Sequence, residues 1–432
     1  MLRFAPSPTG DMHIGNLRVA LFNHLLAKQR GEPLLVRIED TDTERNIEGK
    51  DREILDILDR FGIEYDQVVY QSQNARFHQD FAARLLQDGK AFACFCTPEE
   101  LEQERRRAKE QKRPYRYSGK CEDLSLKEAA KKPGKFSIRI KKPAEPITFA
   151  DRIKGEMRFE PFDVDSFVIL RADGRPTYNF ACAIDDMLYD ISLVIRGEDH
   201  LSNTPKQIHV RKSLGYDKEI EYAHLPIILD STGKKMSKRD KAASVEWLLD
   251  EGYLPEAIAN YLILLGNKTP TEIFTLEEAK EWFDLSNVSK APAKFDLEKL
   301  RFINREHLRR KEAKELGELL GRDEAAGEFA KIYLEEASTL KELQQKLDTI
   351  FSSKRDFGEF EAEGAALSEA LAQIKSLPES FDALKSELAK RTGLKGKKLF
   401  KPLRILLTGA PHGPDLALLY PHLKDHLKKG AK

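Results

Sequence analysis

The sequence predicts an α/β protein, with a doubly wound parallel sheet in its first part and an all-helical region after it. In the first sixty residues, apolar runs of strand length alternate with segments of helical periodicity, the pattern of a parallel sheet covered by helices. From about residue 247 onward the periodicity is helical, and no further Gly-rich phosphate loop occurs. Strands are predicted at residues 2–5, 34–39, 166–170 and 193–196, a connecting element at 178–186, and helices at 17–29, 49–61, 255–265, 276–283, 297–308 and over most of 311–390.

Length and composition agree with more than one domain. The chain has 432 residues with 41% hydrophobic content, enough for two or more cores. Lysine plus arginine equals aspartate plus glutamate at 72 each, so net charge alone does not indicate a nucleic-acid partner. The sequence has no run of eighteen apolar residues and no basic segment followed by an apolar one, which predicts a cytoplasmic protein without a membrane span or signal peptide.

The first junction between strand and helix is a candidate phosphate site. Residues 6–10, PSPTG, break the first strand, so His13 and Gly15 lie where the first helix begins. Ligands bind at this edge of an open α/β sheet, because unpaired amides at the helix start attract a phosphate. Gly15 would let a nucleotide approach the backbone, and His13 can donate a hydrogen bond to a phosphate oxygen. Taken alone, this pattern is a weak signal and is more typical of an ordinary surface turn.

A second motif makes a phosphate site the better interpretation of the first. Residues 233–239, GKKMSKR, follow a strand-like run at 225–229 and a Ser-Thr-Gly turn. Two lysines on a glycine-flanked mobile loop form a clamp for a triphosphate whose charge grows in the transition state. The two motifs together predict a nucleotide-dependent enzyme.

Three of the four cysteines form a candidate metal site. Cys94 and Cys96 lie in an apolar strand-like run, where alternation would put both sulfurs on one side, and Cys121 follows after 24 intervening residues. A zinc site needs four ligands, so three cysteines are one short. Asp123 is one candidate for the vacancy, and three reduced thiols without a metal is the alternative.

Several charged residues have two interpretations from the sequence alone. Arg37 and Glu39 could form an ordinary surface pair at a strand end, and Arg196 could pair with Glu198 or Asp199. The charged helix predicted at residues 98–112 could be a solvated face or a phosphate-contacting one.

A basic cluster near the C-terminal end favours RNA contact over a solvated loop. Within residues 385–404 only Glu387 opposes the positive side chains, and Phe400 adds an aromatic ring. Such a cluster attracts an RNA backbone but cannot by itself read base sequence. Its members are Lys385, Lys390, Arg391, Lys395, Lys397, Lys398, Lys401 and Arg404.

These motifs resemble those of class I aminoacyl-tRNA synthetases, and more narrowly of bacterial glutamyl-tRNA synthetases. The resemblance runs in the family's order from about residue 3 to 422, and it implies a Rossmann-type catalytic domain with an inserted acceptor-end-binding domain, then all-α stem-contact and anticodon-binding domains. The motifs are RFAPSPTG (3–10), HIGN (13–16), RIEDTD (37–42), PTYNF (176–180), IRGEDH (195–200) and KMSKR (235–239). The implied borders are 1–90 and 181–246 for the catalytic halves, 91–180 for the insertion, 247–310 for the stem-contact domain and 311–432 for the anticodon-binding domain.

The resemblance also implies the roles of individual residues. ATP would be bound by His13, Gly15, Asn16, Met236, Ser237 and Lys238, with Mg²⁺, and catalysis would rest on His13, Lys235 and Lys238. Glutamate would be bound by Arg3, Ser7, Glu39, Tyr178 and Arg196. A structural Zn²⁺ would be held by Cys94, Cys96, Tyr117 and Cys121. Asn16 stands where the class motif has a second histidine, and an amide contact made by some members falls on Cys182, so that contact is not expected here.

The implied activity is a glutamate–tRNA ligase that forms glutamyl-adenylate from ATP and transfers glutamate to tRNA(Glu), tRNA(Gln) or both. A buried arginine would distinguish glutamate from glutamine, since the two differ only in a charged side-chain carboxylate. Alternatives are a duplicated member that glutamylates tRNA(Gln) for later amidation, a base-modifying relative without an anticodon domain, and a non-catalytic RNA-binding paralogue. The resemblance further implies a cytoplasmic monomer.

Overall fold

The predicted α/β architecture with a helical C-terminal region is confirmed in the computed structural model, which describes residues 1–236, 240–352 and 354–430. The chain divides into two compact units, one of Met1–Val245 with Leu262–Phe295 and one of Glu246–Tyr261 with Asp296–Lys432. The strands are β1 (Leu2–Phe4), β2 (Leu34–Ile38), β3 (Gln67–Tyr70), β4 (Ala91–Cys94), β5 (Ser137–Ile140), β6 (Ile147–Asp151), β7 (Gly155–Phe159), β8 (Val168–Leu170), β9 (Leu193–Gly197), β10 (Glu221–Leu225), β11 (Ile228–Leu229) and β12 (Ala293–Lys294).

The helices cover the sheet and then make up the rest of the chain. In the first unit they include α1 (Ile14–Arg30), α2 (Lys50–Arg60), α3 (Ala75–Gln87), α4 (Pro98–Glu110), α5 (Leu126–Lys131), α6 (Pro161–Val164), α7 (Tyr178–Leu188) and α8 (Thr204–Ser213). They continue as α9 (Val245–Asp250), α10 (Pro255–Leu264), α11 (Leu276–Trp282), α12 (Leu297–Arg310), α13 (Ala313–Leu319), α14 (Glu324–Ile332), α15 (Leu340–Phe351), α16 (Glu361–Ala372), α17 (Phe381–Thr392), α18 (Lys397–Thr408) and α19 (Leu416–Gly430).

A seven-stranded sheet organises the first unit. Its order is β3-β2-β1-β9-β10-β6-β7, and all neighbours pair in parallel except the β6–β7 hairpin. Strands β1 and β2 are buried along their whole length, so their apolar residues do not alternate with exposed ones, and each strand carries one buried arginine, Arg3 or Arg37. Because parallel strands end at a common edge, the segments after β1, β2, β9 and β10 are brought together there.

The β6–β7 hairpin was not predicted. It lies inside the stretch 91–180, which the sequence suggested would interrupt the sheet, yet β6 pairs with β10 and extends that sheet. Strand β6 is buried only at its two ends, and β7 alternates between partly buried and exposed residues, so both lack the mainly apolar, fully buried runs of the central strands. Only β4, β5 and β8 form a separate antiparallel sheet within the stretch. The borders of the catalytic, inserted, stem-contact and anticodon-binding domains stay a prediction.

The second unit is helical, and a buried asparagine ties three of its segments together. The side chain of Asn304 accepts a hydrogen bond from the Leu254 amide (2.8 Å) and donates one to the Ser338 carbonyl (2.6 Å). Buried backbone groups outside helices need such partners. Among the residues described, no helix combines the length and the apolarity needed to cross a bilayer.

Candidate active site

A cavity of about 690 Å³ opens at the carboxyl edge of the parallel sheet. Its walls come from the loop after β1, the start of α1, the ends of β2 and β9, α7, and the segment after β10. Ligands of open α/β sheets bind at this position. Of the predicted site residues, the cavity is lined by Arg3, Ser7, His13, Gly15, Asn16, Glu39, Tyr178, Arg196, Lys235 and Met236.

His13 caps the first helix. Its Nδ1 accepts a hydrogen bond from the Asn16 amide (3.2 Å), so α1 begins at Ile14 rather than at the predicted residue 17. An acceptor at Nδ1 leaves the proton of the neutral ring on Nε2, which can then act as a donor. A Cβ on Gly15 would lie 2.9 Å from His13 Nδ1, so the glycine first makes room for the imidazole itself.

The lysine loop begins with a tight turn after β11. The carboxylate of Asp230 accepts hydrogen bonds from the amides of Thr232 (2.8 Å) and Lys234 (3.0 Å). Gly233 has a φ of +84°, a left-handed conformation in which a side chain would be strained. The turn thus sends the chain back along β11 and towards the cavity.

Lys235 lies in the cavity wall, where its Nζ donates to Asp199 Oδ2 at 3.0 Å. Burial alone would raise the pKa of Asp199, but the hydrogen bond from the ammonium group outweighs it and the pKa is lowered. Met236 also lines the cavity, and its amide donates to the Ile228 carbonyl. The predicted contributions of Ser237 and Lys238 fall outside the described residues.

Arg196 is buried and surrounded by neutral acceptors. Its Nε donates to His224 Nε2 (3.1 Å), Nη1 to Gln207 Oε1 (3.0 Å) and Nη2 to Thr204 Oγ1 (2.7 Å). A guanidinium has five N–H groups, so one on each terminal nitrogen is left for another partner. Two parallel donors of this kind match a carboxylate.

The sequence had left open an ion pair between Arg196 and one of its neighbours. Instead, Glu198 pairs with Lys154, and Asp199 with Lys235. Within residues 1–236, 240–352 and 354–430, no carboxylate lies in ion-pair range of Arg196. The cavity therefore carries a buried positive charge without a counter-ion in contact.

A second charged network lies beneath the same cavity wall. Asp186 is fully buried and accepts from Arg37 Nη1 (2.7 Å) and Arg3 Nε (3.3 Å). Burial would raise the pKa of Asp186, but the two guanidinium groups hold it below its usual range. Glu39 Oε1 accepts from Arg37 Nη2 (3.3 Å) and from the Cys182 thiol (3.1 Å).

Glu39 and Arg37 are therefore buried, and the alternative of an ordinary surface pair is wrong. Burial raises the pKa of Glu39 even though Arg37 acts in the opposite direction. A cationic group entering the cavity beside Glu39 would favour its charged form. Tyr178, on the first turn of α7, shares a hydrogen bond of 3.2 Å with His200 Nδ1.

The three predicted cysteines meet in one cluster. The sulfurs of Cys94, Cys96 and Cys121 lie within 4.8 Å of one another, and the Tyr117 hydroxyl lies 3.5 Å from the first two. The Cys121 amide donates to the Tyr117 oxygen at 3.0 Å. Cys96 lies two residues after the end of β4, and its sulfur lies on the same side as that of Cys94, as predicted. Asp123 is not part of this group.

The basic cluster at residues 385–404 is partly neutralised by acids that lie outside this stretch. Lys385 pairs with Asp382, Lys397 with Glu359 and Lys398 with Glu363, and these acids all lie outside the sequence window. Phe400 is about half exposed, with Lys385 Nζ 5.7 Å from its ring centre. In the described part of the chain, Lys390, Lys395 and Lys401 have no such acidic partner.

Sequence reasoning missed the residues that hold the site residues in place. Thr204, Gln207 and His224 surround Arg196, and Asp186 joins Arg3 to Arg37. These residues lie in α7, α8 and β10, between 8 and 183 positions along the chain from the groups they contact. The available signal was a polar residue, Asp186, within the predicted element at 178–186, whereas α8 and β10 were not predicted.

Comparisons with known proteins identify the family of the chain. The family model "tRNA synthetases class I (E and Q), catalytic domain" matches residues 1–302, and the model "Anticodon binding domain" matches residues 276–423. Glutamate–tRNA ligase 1 of Nitratiruptor sp. is 68% identical over 429 residues, and glutamate–tRNA ligase 2 of Sulfurimonas denitrificans is 59% identical over 428, each alignment covering 99% of both chains.

Two solved structures resemble the whole chain. A glutamate tRNA ligase from Elizabethkingia meningosepticum, in complex with its amino acid, has a TM-score of 0.84 at 28% identity. Glutamate-tRNA synthetase from Elizabethkingia anophelis has a TM-score of 0.83 at 30% identity. Each comparison covers 100% of this chain and 98% of the other.

Proposed function

This chain belongs to the class I aminoacyl-tRNA synthetases that act as glutamate–tRNA ligases, and from that premise we propose how its cavity activates glutamate. The enzyme joins L-glutamate to tRNA with the use of ATP. The observation that carries the proposal is Arg196, a buried guanidinium with only neutral partners in the same cavity as His13 and Lys235.

Glutamate is held by charges of opposite sign. Arg196 takes the side-chain carboxylate with its two remaining N–H groups, and Glu39 takes the α-ammonium. Arg3 on β1 and Ser7 in the loop after it face the substrate carboxylates, and Tyr178 closes the other side. Glutamine would leave the buried charge of Arg196 without compensation, which opposes its binding.

ATP lies over the start of α1. His13 donates from Nε2 to a phosphate oxygen, while Gly15, Asn16 and Met236 contact the nucleotide. The lysine loop supplies Lys235, Ser237 and Lys238 to the phosphates. Magnesium bound with ATP supplies further neutralisation of phosphate charge.

In the reaction the protein mainly positions the substrates and takes little part in the covalent chemistry. The α-carboxylate oxygen attacks the α-phosphorus, and the bond to the β-phosphate oxygen breaks to release pyrophosphate. A terminal ribose hydroxyl of tRNA next attacks the glutamyl carbonyl and AMP leaves. His13, Lys235 and Lys238 stabilise the negative charge that grows on the phosphate oxygens.

The tRNA would span the chain through the predicted domains. We propose that residues 91–180 hold its acceptor end, 247–310 contact its stem and 311–432 bind the anticodon, where the basic cluster and Phe400 can meet the RNA backbone. A helical region of this size argues against a base-modifying relative without an anticodon domain. The cytoplasm is the proposed location because ATP and tRNA are available there, and the monomeric state stays a prediction.

Charging assays test the function. Labelled glutamate is offered with separately transcribed tRNA(Glu) and tRNA(Gln), each with and without ATP. We expect ATP-dependent charging of tRNA(Glu). Charging of tRNA(Gln) alone would identify a duplicated member specialised for later amidation, and charging of neither would contradict the ligase assignment.

The cysteine cluster fits a structural zinc ion. Three thiol sulfurs and a phenol oxygen converge within reach of one ion; the thiolates suit Zn²⁺, whereas a phenolate is an uncommon ligand because its proton is hard to remove. Bound there, zinc would stabilise the fold of the surrounding segment without taking part in the reaction. Cys94, Cys96, Tyr117 and Cys121 are the proposed ligands.

We expect the purified chain to contain about one zinc ion per molecule by elemental analysis. Cys121→Ser should remove most of it and lower the melting temperature, because a ligand is lost. Cys182→Ser, a change at a cysteine outside the cluster, and Asp123→Asn should both leave the zinc content unchanged. Loss of zinc in Asp123→Asn would move the fourth ligand to that residue, and absence of zinc from the unaltered chain would favour three reduced thiols.

A further inference from the structure

We infer that His224 is a positioning residue for Arg196, and that Asp151 holds His224 so that the Arg196 guanidinium is aimed at the substrate's side-chain carboxylate. The inference rests on the proposed role of Arg196 in binding glutamate. It concerns specificity, because the three residues decide how the charge that distinguishes glutamate from glutamine is presented.

The three side chains form a continuous line of hydrogen bonds. Asp151 Oδ2 lies 2.6 Å from His224 Nδ1, and His224 Nε2 lies 3.1 Å from Arg196 Nε. All three are buried, with His224 at 0% exposure. Arginine Nε is always a donor, so His224 Nε2 is the acceptor and the ring proton is on Nδ1, where Asp151 accepts it.

Other contacts support the neutral ring. Arg196 Nη2 donates to Thr204 Oγ1, and the Thr204 hydroxyl, 3.0 Å from His224 Nε2, donates to the same nitrogen. A protonated imidazole would turn this acceptor into a donor facing the Arg196 Nε–H, which can only donate. Burial lowers the pKa of His224, and Arg196 acts in the same direction, against the opposing effect of Asp151.

The sheet places these residues side by side. His224 and Arg196 are directly opposite each other in the parallel pair β10–β9, and Asp151 ends the neighbouring strand β6. Asp151 Oδ1 also accepts from the amides of Ile153 (3.0 Å) and Lys154 (2.8 Å), so the turn between β6 and β7 holds the carboxylate in place. By pairing with β10, the unpredicted β6–β7 hairpin places Asp151 next to His224.

Asp151 acts on Arg196 through His224 and does not contact the guanidinium itself. A carboxylate in direct contact with Arg196 would occupy the N–H groups needed by the substrate and would cancel its charge. With His224 between them, Asp151 orients the side chain while Nη1 and Nη2 each keep one donor. Orientation of a ligand-binding group by a second, buried hydrogen-bonding partner is a general device for fixing tautomer and direction.

A matched pair of substitutions tests this arrangement in the full-length enzyme with tRNA present. In His224→Gln, the amide oxygen can reach the place of Nε2 and accept from Arg196. In His224→Asn, the shorter amide reaches the place of Nδ1 and contacts Asp151 but not Arg196. We expect KM for glutamate to rise at most about threefold in His224→Gln and about tenfold or more in His224→Asn, with KM for ATP and kcat at saturating glutamate changed less than about twofold.

Asp151→Asn provides an independent measurement if His224→Asn does not fold. Its amide group donates where the carboxylate accepted, which moves the ring proton to Nε2 and opposes the donor of Arg196. We expect KM for glutamate to rise about tenfold, and the preference for glutamate over glutamine in kcat/KM to fall. A purely structural role would lower the melting temperature without separating the KM for glutamate from that for ATP.

The inference and the proposed role of Arg196 fail in different ways. If Arg196→Ala leaves KM for glutamate no more affected than KM for ATP, the role of Arg196 is wrong. If Arg196→Ala raises KM for glutamate selectively, while His224→Gln and His224→Asn behave alike and Asp151→Asn matches the unaltered enzyme, Arg196 keeps its role and the positioning by His224 is overturned.

Discussion

Replacement of Arg196 by alanine is expected to lower kcat/KM for glutamate by about 10³-fold while KM for ATP changes less than about threefold. The substitution removes the guanidinium that the substrate carboxylate would meet in a buried site, a loss of ~4 kcal/mol. ATP lies over α1 in the proposed arrangement and loses no direct contact. Initial rates of tRNA charging, measured with each substrate varied in turn, give both constants.

Two further variants sharpen this prediction. Arg196→Lys keeps the positive charge but loses the fork of parallel donors, so we expect an intermediate loss. Arg158→Ala changes an exposed arginine on β7 that pairs with Glu160, and it should leave both constants unchanged. Equal losses for glutamate and ATP in Arg196→Ala would contradict the assigned role.

The environment of Arg196 shows why the sequence could locate the residue but not its partners. Glu198 and Asp199 follow it within three positions, which made them candidates for an ion pair. The fold turns both towards lysines, one at residue 154 and one at 235. The actual partners lie in α8 and β10, 8, 11 and 28 positions along the chain, and polar contacts between separate elements leave no periodic pattern in a single sequence.

Helices and strands were predicted where a local pattern of apolar residues in the sequence marks them. The fully buried β1 and β2 are apolar except for one arginine each, and α2 has a clear amphipathic face with buried Ile54, Ile57 and Leu58. The start of α1 was placed three residues late because histidine is not among the usual capping residues. The β6–β7 hairpin was missed because half-exposed strands at a sheet edge carry a weak signal.

His13→Asn is expected to lower kcat for tRNA charging by about 10²-fold or more without a loss of thermal stability. Asparagine is a good helix cap, so its side chain can replace His13 Nδ1 as the acceptor for the Asn16 amide. It lacks a donor at the place of Nε2, and loss of one preorganised donor to a developing charge lowers kcat by this order. Single-turnover charging and a melting curve measure the two effects separately.

Gly15→Ala tests whether the position of the His13 ring matters for catalysis. The added Cβ would lie 2.9 Å from His13 Nδ1 and 3.0 Å from Cε1, so the imidazole must move off the helix start. Alanine favours a helix by ~1 kcal/mol over glycine, which opposes any loss of stability. We therefore expect kcat to fall about tenfold while the melting temperature is kept. Full activity in both Gly15→Ala and His13→Asn would show that the ring of His13 caps the helix and takes no part in the reaction.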